Sequence, residues 1–415
     1  MNRDHCHADQ LSLFTPAPTD TTLKSREWIE YRPINQINDT AAIDFNIPPQ
    51  SAAYIDLRKS VLNVKLRLTN ADGTPIRDDT VVGLINLPLH SIFRQVDVTL
   101  NQTPLSHTGV NYPFKSYIDT ILKTNQSAQQ NILSSQLFYK DTGINPDTTD
   151  AKTGPNGGLS YRYLNTFGGV VIDLEGPLML DMFQQPRLLV NGVSIGIKLW
   201  PSLDAFRLMS DNLEPSEKVQ IVDVRFKLCV QRLDGGVIVA NEKLIQMQPA
   251  IYPYLKSNIK TTSIASGQYS FGADDVFQGL VPSKLIVGLV SSAAYMGDYS
   301  KNPFNFGHYN CSSVGFYIDG QSCPFQALQP NYEVDQYVDC YRTLTLYRDD
   351  INVDRYDYKQ GYCLYALDID PYYSFNTKRR GHCRLELKFA KPLPESVTLI
   401  MYATFPEILH IDQSR

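Results

Sequence analysis

Along most of this chain apolar and polar residues alternate with a period of two. That pattern marks strands with one buried and one wetter face. Over Ser60–Thr69, Leu62, Val64, Leu66 and Leu68 alternate with Asn63, Lys65 and Arg67. Val96, Val98 and Leu100 alternate with Asp97 and Thr99, and Ile195, Ile197 and Leu199 with Ser194, Gly196 and Lys198. Val222, Val224, Phe226, Leu228 and Val230 read as one face of a longer strand, with Asp223, Arg225 and Lys227 on the other. Near the end, Leu385, Leu387 and Phe389 alternate with Arg384, Glu386 and Lys388, and Val397, Leu399, Met401, Ala403 and Phe405 form a last such face.

Turn chemistry separates these runs. Asn70-Ala71-Asp72-Gly73, Asn191-Gly192, Asp234-Gly235-Gly236 and Asp319-Gly320 tolerate positive φ and read as tight turns. Helical periodicity is sparse. It predicts a helix over Tyr112–Lys123, with Tyr117, Ile118, Ile121 and Leu122 on one side and Ala128–Leu137 as an extension, and a further helix over Val237–Met247. Residues 1–27 mix Thr, Pro, Asp and Ser without period and read as a flexible tail. Residues 141–160, rich in Gly and Pro, read as a long surface loop.

The two halves share a plan. Leu62–Leu68, Val96–Asn101, a Tyr-rich helical segment and two long strands (Ile195–Leu199, Ile221–Val230) are matched by Leu285–Val290, Val314–Gly320, Tyr337–Tyr347 and the strands Leu385–Phe389 and Val397–Phe405. The boundary is expected near Asp234–Pro253, where Asp-Gly-Gly and two prolines interrupt the patterns, which gives 28–240 and 253–415 joined by a linker at 241–252.

Composition narrows the function. Of the 415 residues, 43% are hydrophobic and 20% charged, a globular balance, and tyrosine reaches 25. A net charge of −5 argues against a dedicated nucleic-acid binder. No apolar run approaches the roughly 18 residues that span a bilayer. The start, Met-Asn-Arg-Asp-His-Cys-His-Ala-Asp, lacks the apolar core of a secretory signal. Cys6, Cys229, Cys311, Cys323, Cys340, Cys363 and Cys383 are odd in number and lack Cys-x-x-Cys spacing, so buried free thiols are expected rather than a disulfide framework or a thiolate zinc site. Sequons at Asn38, Asn101, Asn125 and Asn310 then read as chance matches.

The search for chemistry finds no catalytic residue, cofactor site or metal site. There is no Gly-x-Ser-x-Gly elbow and no phosphate-cradling glycine loop. His90 and His107 are scattered residues of the kind that more often fill core or loop roles than act as bases. His5-Cys6-His7 lies in the expected tail and is a weak metal candidate. Asp349, Asp350, Asp354 and Asp357 lack the spacing of a calcium loop and read as a solvated loop. One basic cluster remains: Lys378, Arg379, Arg380, His382 and Arg384. Its plain reading is a turn followed by an outward strand position. Its functional reading is a phosphate contact by Lys378, Arg379 and Arg380, toward a genome or an inner surface.

Four strings are more specific. Tyr54-Ile55-Asp56-Leu57-Arg58-Lys59-Ser60, Leu137-Phe138-Tyr139-Lys140-Asp141-Thr142, Asn302-Pro303-Phe304-Asn305-Phe306 and Leu385–Pro394, the last read as opening a final hairpin, occur in this order. Over roughly residues 28–415 the chain resembles the major capsid proteins of Polinton-type elements and adintoviruses. That resemblance implies an all-β fold, a double jelly roll of two tandem eight-stranded sandwiches with a few short helices. It also implies a non-enzymatic subunit that forms a homotrimer, a pseudo-hexagonal block tiling an icosahedral shell around double-stranded DNA. The implied partners are the chain itself, neighbouring capsomers and penton or minor capsid proteins. Packaged DNA would be met only indirectly, and the location would be the virion. The competing readings are a lectin-like carbohydrate-binding sandwich and a β-sandwich hydrolase with a carboxylate pair that sequence does not reveal.

Overall fold

The computed structural model describes residues 22–413, apart from 39, 143–144, 213–214, 324–325, 346–347, 370–374 and 376–377. The first half contributes β1 (Leu23–Tyr31), β2 (Ile43–Ile47), β3 (Val61–Thr69), β4 (Phe93–Leu100), β5 (Thr103–His107), β6 (Ile172–Pro177), β7 (Ile195–Pro201) and β8 (Lys218–Leu233). The second contributes β9 (Ala250–Ile264), β10 (Ser270–Ala273), β11 (Lys284–Ser291), β12 (Cys311–Ile318), β13 (Gln321–Ser322), β14 (Leu364–Asp368), β15 (Cys383–Phe389) and β16 (Val397–Ile411).

The first eight strands form two sheets ordered β1-β8-β3-β6 and β2-β7-β4-β5, with Tyr54–Ile55 as a short addition on β8. The last eight form sheets ordered β9-β16-β11-β14 and β10-β15-β12-β13. The second order is the first with eight added to every strand. This is the jelly-roll order used twice, so the chain is an all-β double jelly roll, as expected. Even the turns correspond. The β4–β5 hairpin turns at Asn101-Gln102 (φ 47° and 67°) and the β12–β13 hairpin at Asp319-Gly320 (φ 50° and 81°). Positive φ at both central residues matches the twist of paired strands.

Alternation sets the register. Leu62, Val64, Leu66 and Leu68 are buried, as are Val96 and Val98 on β4 and Leu385 and Leu387 on β15. On β8 the expected face is wrong at one end. Val222 has no partner on β3, because a bulge separates Ile221 from Asp223. The extra residue swaps the phase, so Val219 and Ile221 are buried while Val222 is 45% exposed. The central strand β16 is buried on both faces from Val397 to Thr404, because one face packs into its own sandwich and the other toward the first half.

Four further expectations are corrected. The tail does not extend to residue 27, since Leu23–Glu27 already pair with β8. This edge strand escaped notice because its first four residues are all exposed and carry no apolar period. The strands β15 and β16 do not form a hairpin: they belong to opposite sheets, and residues 390–396 cross between them. Asp234-Gly235-Gly236 starts a helix rather than closing a turn, because Asp234 caps α3 (Gly235–Ile245) by accepting from Gly236 N–H; α3 lies between β8 and β9 and so overlaps the expected linker. The helix over Tyr112–Lys123 forms but ends at Thr124, whose extended backbone stops it; Asn125 caps a separate short helix, Gln126–Gln130.

That helix over Tyr112–Lys123 is α1, in the β5–β6 connection, followed by α2 (Gly157–Thr166); α4 (Val338–Thr345) occupies the equivalent β13–β14 connection. Tyr112–Leu122 is buried on every side rather than on one. The reason is the packing of the halves. Phe114, Tyr117, Ile121 and Leu159 belong to the same apolar core as Val287, Phe306 and Met401, while Tyr252, Tyr254 and Ile411 pack into the core of the first roll.

Candidate functional site: the roll junction and the outer surfaces

Charged groups clamp the two rolls together. Lys115 and Asp119 sit one turn apart on α1 and are both almost fully buried. Lys115 Nζ lies 3.0 Å from Asp119 Oδ2 and 3.1 Å from Asp181 Oδ1, and Lys123 reaches Asp119 Oδ1 at 2.8 Å. From the second roll, Tyr402 on β16 donates to Asp119 Oδ1 at 2.8 Å, and Ser257 on β9 donates its backbone N–H and hydroxyl to Asp181. Burial pushes the Asp119 carboxyl up, but the Lys115 and Lys123 charges outweigh it and hold it well below the usual carboxylate range. Burial pushes the Lys115 ammonium down, and Asp119 and Asp181 reverse that and raise it.

A second hub centres on Asp141. Its Oδ1 accepts from Arg162 Nη2 at 2.6 Å and from Asn156 at 3.0 Å. Its Oδ2 accepts from Asn86 and, across the junction, from Asn302 at 3.3 Å. Its backbone oxygen accepts from the Tyr362 hydroxyl at 2.8 Å. The Arg162 side chain is wholly buried, and its other nitrogens donate to the carbonyls of Leu84 and Tyr139. Asp147 adds bonds to Asn302 N–H and Asn305. The expected surface loop at 141–160 is therefore corrected among the described residues: it is a polar hub in which Asp141, Ala151 and Asn156 are buried, and Asp141 and Asp147 bond to the second roll.

Aromatic packing completes the junction. Tyr117 stacks on Phe304 with ring centroids 4.1 Å apart, and Phe114 and Phe206 meet Phe304 edge-on. Two of the four specific strings, Leu137–Thr142 and Asn302–Phe306, thus lie here. The charged members Lys115, Asp119 and Arg162 were missed in the sequence, since a Lys-x-x-x-Asp pair on a helix looks like a solvated face.

His90 is fully buried and has a structural role. Its ring nitrogens meet Tyr112 Oη at 2.8 Å and Gln136 Oε1 at 3.1 Å. The amide oxygen only accepts, so Nε2 carries the proton and Nδ1 accepts from the tyrosine. Burial lowers its pKa to about 4. Above pH 6.5 the group is neutral whether the chain is folded or not. As pH falls, the unfolded chain takes up a proton that the folded chain refuses, and stability drops until about pH 4. Chemical denaturation at pH 6.5 and pH 4.5 should show this loss in the wild type, and His90→Gln should remove about 2–3 kcal/mol of it. An identical pH dependence in the variant would refute the assignment.

The other candidates carry no visible chemistry. Cys229, Cys311, Cys323, Cys340, Cys363 and Cys383 are free, and burial pushes the Cys311 thiol up to about 12. Cys6 and His5 and His7 lie outside the described residues. Asp354 and Asp357 form a capping box on the short helix Arg355–Lys359, and Asp357 pairs with Lys140, while Asp350 pairs with Arg348. No three His, Cys, Asp or Glu side chains converge among the described residues, and no helix there is long and apolar enough to cross a membrane. The basic segment is partly neutralised: Lys378 meets Glu407 at 2.9 Å, and Arg384 pairs with Glu386 and Asp274. Lys378 and Arg379 line a cleft of about 220 Å³ with Lys256 and Lys260 from β9, whereas Arg380 is exposed beside it.

Exposed apolar residues gather in two places. On α2 and the segment after it stand Tyr161, Leu164, Phe167, Val170 and Val171, with Leu164 64% exposed; around α3 stand Val239, Leu244, Met247 and Ile251. Monomeric proteins rarely leave such groups in clusters.

No protein-family model matches the chain. An uncharacterized protein of Caenorhabditis elegans is 24% identical over 421 residues, covering 96% of this chain and 97% of its own length. Among solved structures, a chain of the Sputnik virophage aligns with a TM-score of 0.70 at 12% identity, over 98% of this chain and 91% of that one. The Faustovirus major capsid protein aligns with a TM-score of 0.60 at 10% identity, over 98% and 94%. The mavirus major capsid protein aligns at 0.52 and 10%, over 95% and 90%. At such identities the likeness is one of fold, and it spans both rolls.

Proposed function

We propose that this chain is a structural capsid subunit, a major capsid protein of the Polinton and adintovirus kind, which works as a homotrimer in a virion shell. The observation that carries the reading is the pair of identically ordered rolls fixed as one block by the Lys115–Asp119–Tyr402 and Asp141–Asn302 contacts. Two like rolls per chain give three chains six similar lobes, a block that closes by threefold symmetry and tiles a plane. Such a role needs side surfaces rather than a pocket. The apolar clusters on α2 and around α3 supply surface for a second copy of the chain.

In this reading β1 to β8 and β9 to β16 are the two rolls, α3 lies in the link between them, and the residues before β1 serve as an arm. Neighbouring capsomers and penton or minor capsid proteins would be the further partners, and the subunit would perform no catalysis. Size-exclusion chromatography with light scattering, followed by negative-stain microscopy, tests it. The expected result is a mass near three times 46.9 kDa with hexagonal outlines. A chain that stays monomeric at high concentration and builds no particle when co-expressed with its neighbouring genes would overturn it.

A further inference from the structure

The basic segment that stood out in the sequence is one wall of a cleft whose other wall no local motif shows. Lys256, Asn258 and Lys260 are alternate residues of β9, the edge strand of its sheet, and point to one side. Successive positions of this stripe stand about 7 Å apart. Facing them, residues 279–281 hold the segment 379–381 by backbone bonds: Val281 N–H donates to the Arg379 carbonyl at 3.0 Å and Gly381 N–H to that of Gly279 at 3.2 Å. Among the described residues, the two walls enclose Lys256, Lys260, Lys378 and Arg379 with a single carboxylate, Glu407, which is engaged by Lys378. A net of three positive charges thus sits in one cleft of a chain whose total is −5. Among the described residues, the side chains of Lys256, Arg379 and the adjacent Arg380 have no ion-pair partner.

We infer that this cleft binds the phosphate backbone of a nucleic-acid strand. Three features favour that ligand. Lys256 and Lys260 stand about 14 Å apart along the strand with the Asn258 amide between them, roughly the span of two nucleotide steps. They are set on backbone-bonded walls, so little ordering is needed to use them. The cleft, at about 220 Å³, admits one strand's phosphates and is recessed, whereas a bilayer would need a flat or protruding basic surface. The net charge of the whole chain does not oppose this, because a cleft lined by one sign focuses its own field. The phosphate assignment rests on the cleft alone. Its identity as enclosed genome rests on the capsid reading.

The test uses the full chain and a fluorescent oligothymidylate, with anisotropy read over a salt series. Wild-type binding should weaken with salt with a log–log slope of about −2, as expected for three phosphates of a single strand. The quadruple change Lys256→Glu, Lys260→Glu, Lys378→Glu and Arg379→Glu should weaken binding at least tenfold and flatten that slope. The milder pair Lys256→Gln and Arg379→Gln should lose about two thirds of the slope and guards against misfolding of the first variant. Lys152→Glu with Lys243→Glu, both exposed and outside the lining of the cleft, should change nothing. Unchanged binding in the neutral pair would overturn the inference. So would tighter binding of polyglutamate than of the oligonucleotide at equal charge, or binding only to phosphatidylserine vesicles. Light scattering on the same samples reads association separately, so loss of DNA binding with the oligomer intact is distinguishable from failure of the capsid reading.

Discussion

Replacing Asp141 with alanine should destabilise the protein by about 3–5 kcal/mol, the cost of leaving a buried charge without its partner. The Arg162 guanidinium is fully buried, and among the described residues Asp141 is the one anion that it meets; Leu84 and Tyr139 offer only carbonyl oxygens. The substitution also takes one acceptor from each of the amides of Asn156, Asn86 and Asn302. For a chain of 415 residues melting as a unit, the loss corresponds to a drop of about 3–6 °C in Tm. Calorimetry of Asp141→Ala measures it. The double change Asp141→Leu with Arg162→Met separates causes, because removing both charges removes the desolvation penalty. Recovery of most of the loss is expected. A double variant as unstable as the single one would show that the hub matters through packing alone.

Asp119→Ala should cost a similar amount by a different route. This carboxylate takes Lys115 and Lys123 from its own helix and the Tyr402 hydroxyl from the other roll. Lys115 keeps Asp181, so it is not wholly stranded, but Tyr402 and Lys123 each lose an ionised acceptor. A hydrogen bond to a charged group contributes about 1.5–3 kcal/mol. A double-mutant cycle of Asp119→Ala with Tyr402→Phe should therefore give a coupling of about 1–3 kcal/mol, read by urea denaturation. A coupling near zero would mean that the clamp does not hold the rolls together. The sign with pH follows from the depressed Asp119 carboxyl. Its contribution is complete above the unfolded value near 4 and is lost as acid protonates it.

The strands were legible where one face is buried and the other wet. Leu62 to Leu68 and Leu385 to Phe389 could be read at sight, because burial follows the pleat without interruption. Val222 misled because a bulge adds one residue, and alternation cannot show where a phase breaks. The edge strand β1 was hidden by its own exposure, since a strand that buries little has no apolar period. At the junction the pattern failed for an electrostatic reason. Lys115, Asp119, Asp141 and Arg162 carry charge into the interior because they satisfy one another there, and sequence shows the charges but not the pairing. The basic cleft was half visible. Lys378 and Arg379 stood together, while Lys256 and Lys260 come from a strand more than a hundred residues earlier.

The shared core also fixes an order of events during synthesis. Helix α1 leaves the ribosome early with Phe114, Tyr117 and Asp119, but their cover arrives late: Phe304 from the second roll, then Tyr402, which lies 283 residues beyond Asp119. At about 5–20 residues per second, that interval lasts roughly 14–57 s. Throughout it the first roll exposes an aromatic face and a set of charges meant for the interior. The nascent chain is thus open to premature association for most of its translation, and its yield in cells should depend on chaperone capacity more than its final stability would suggest.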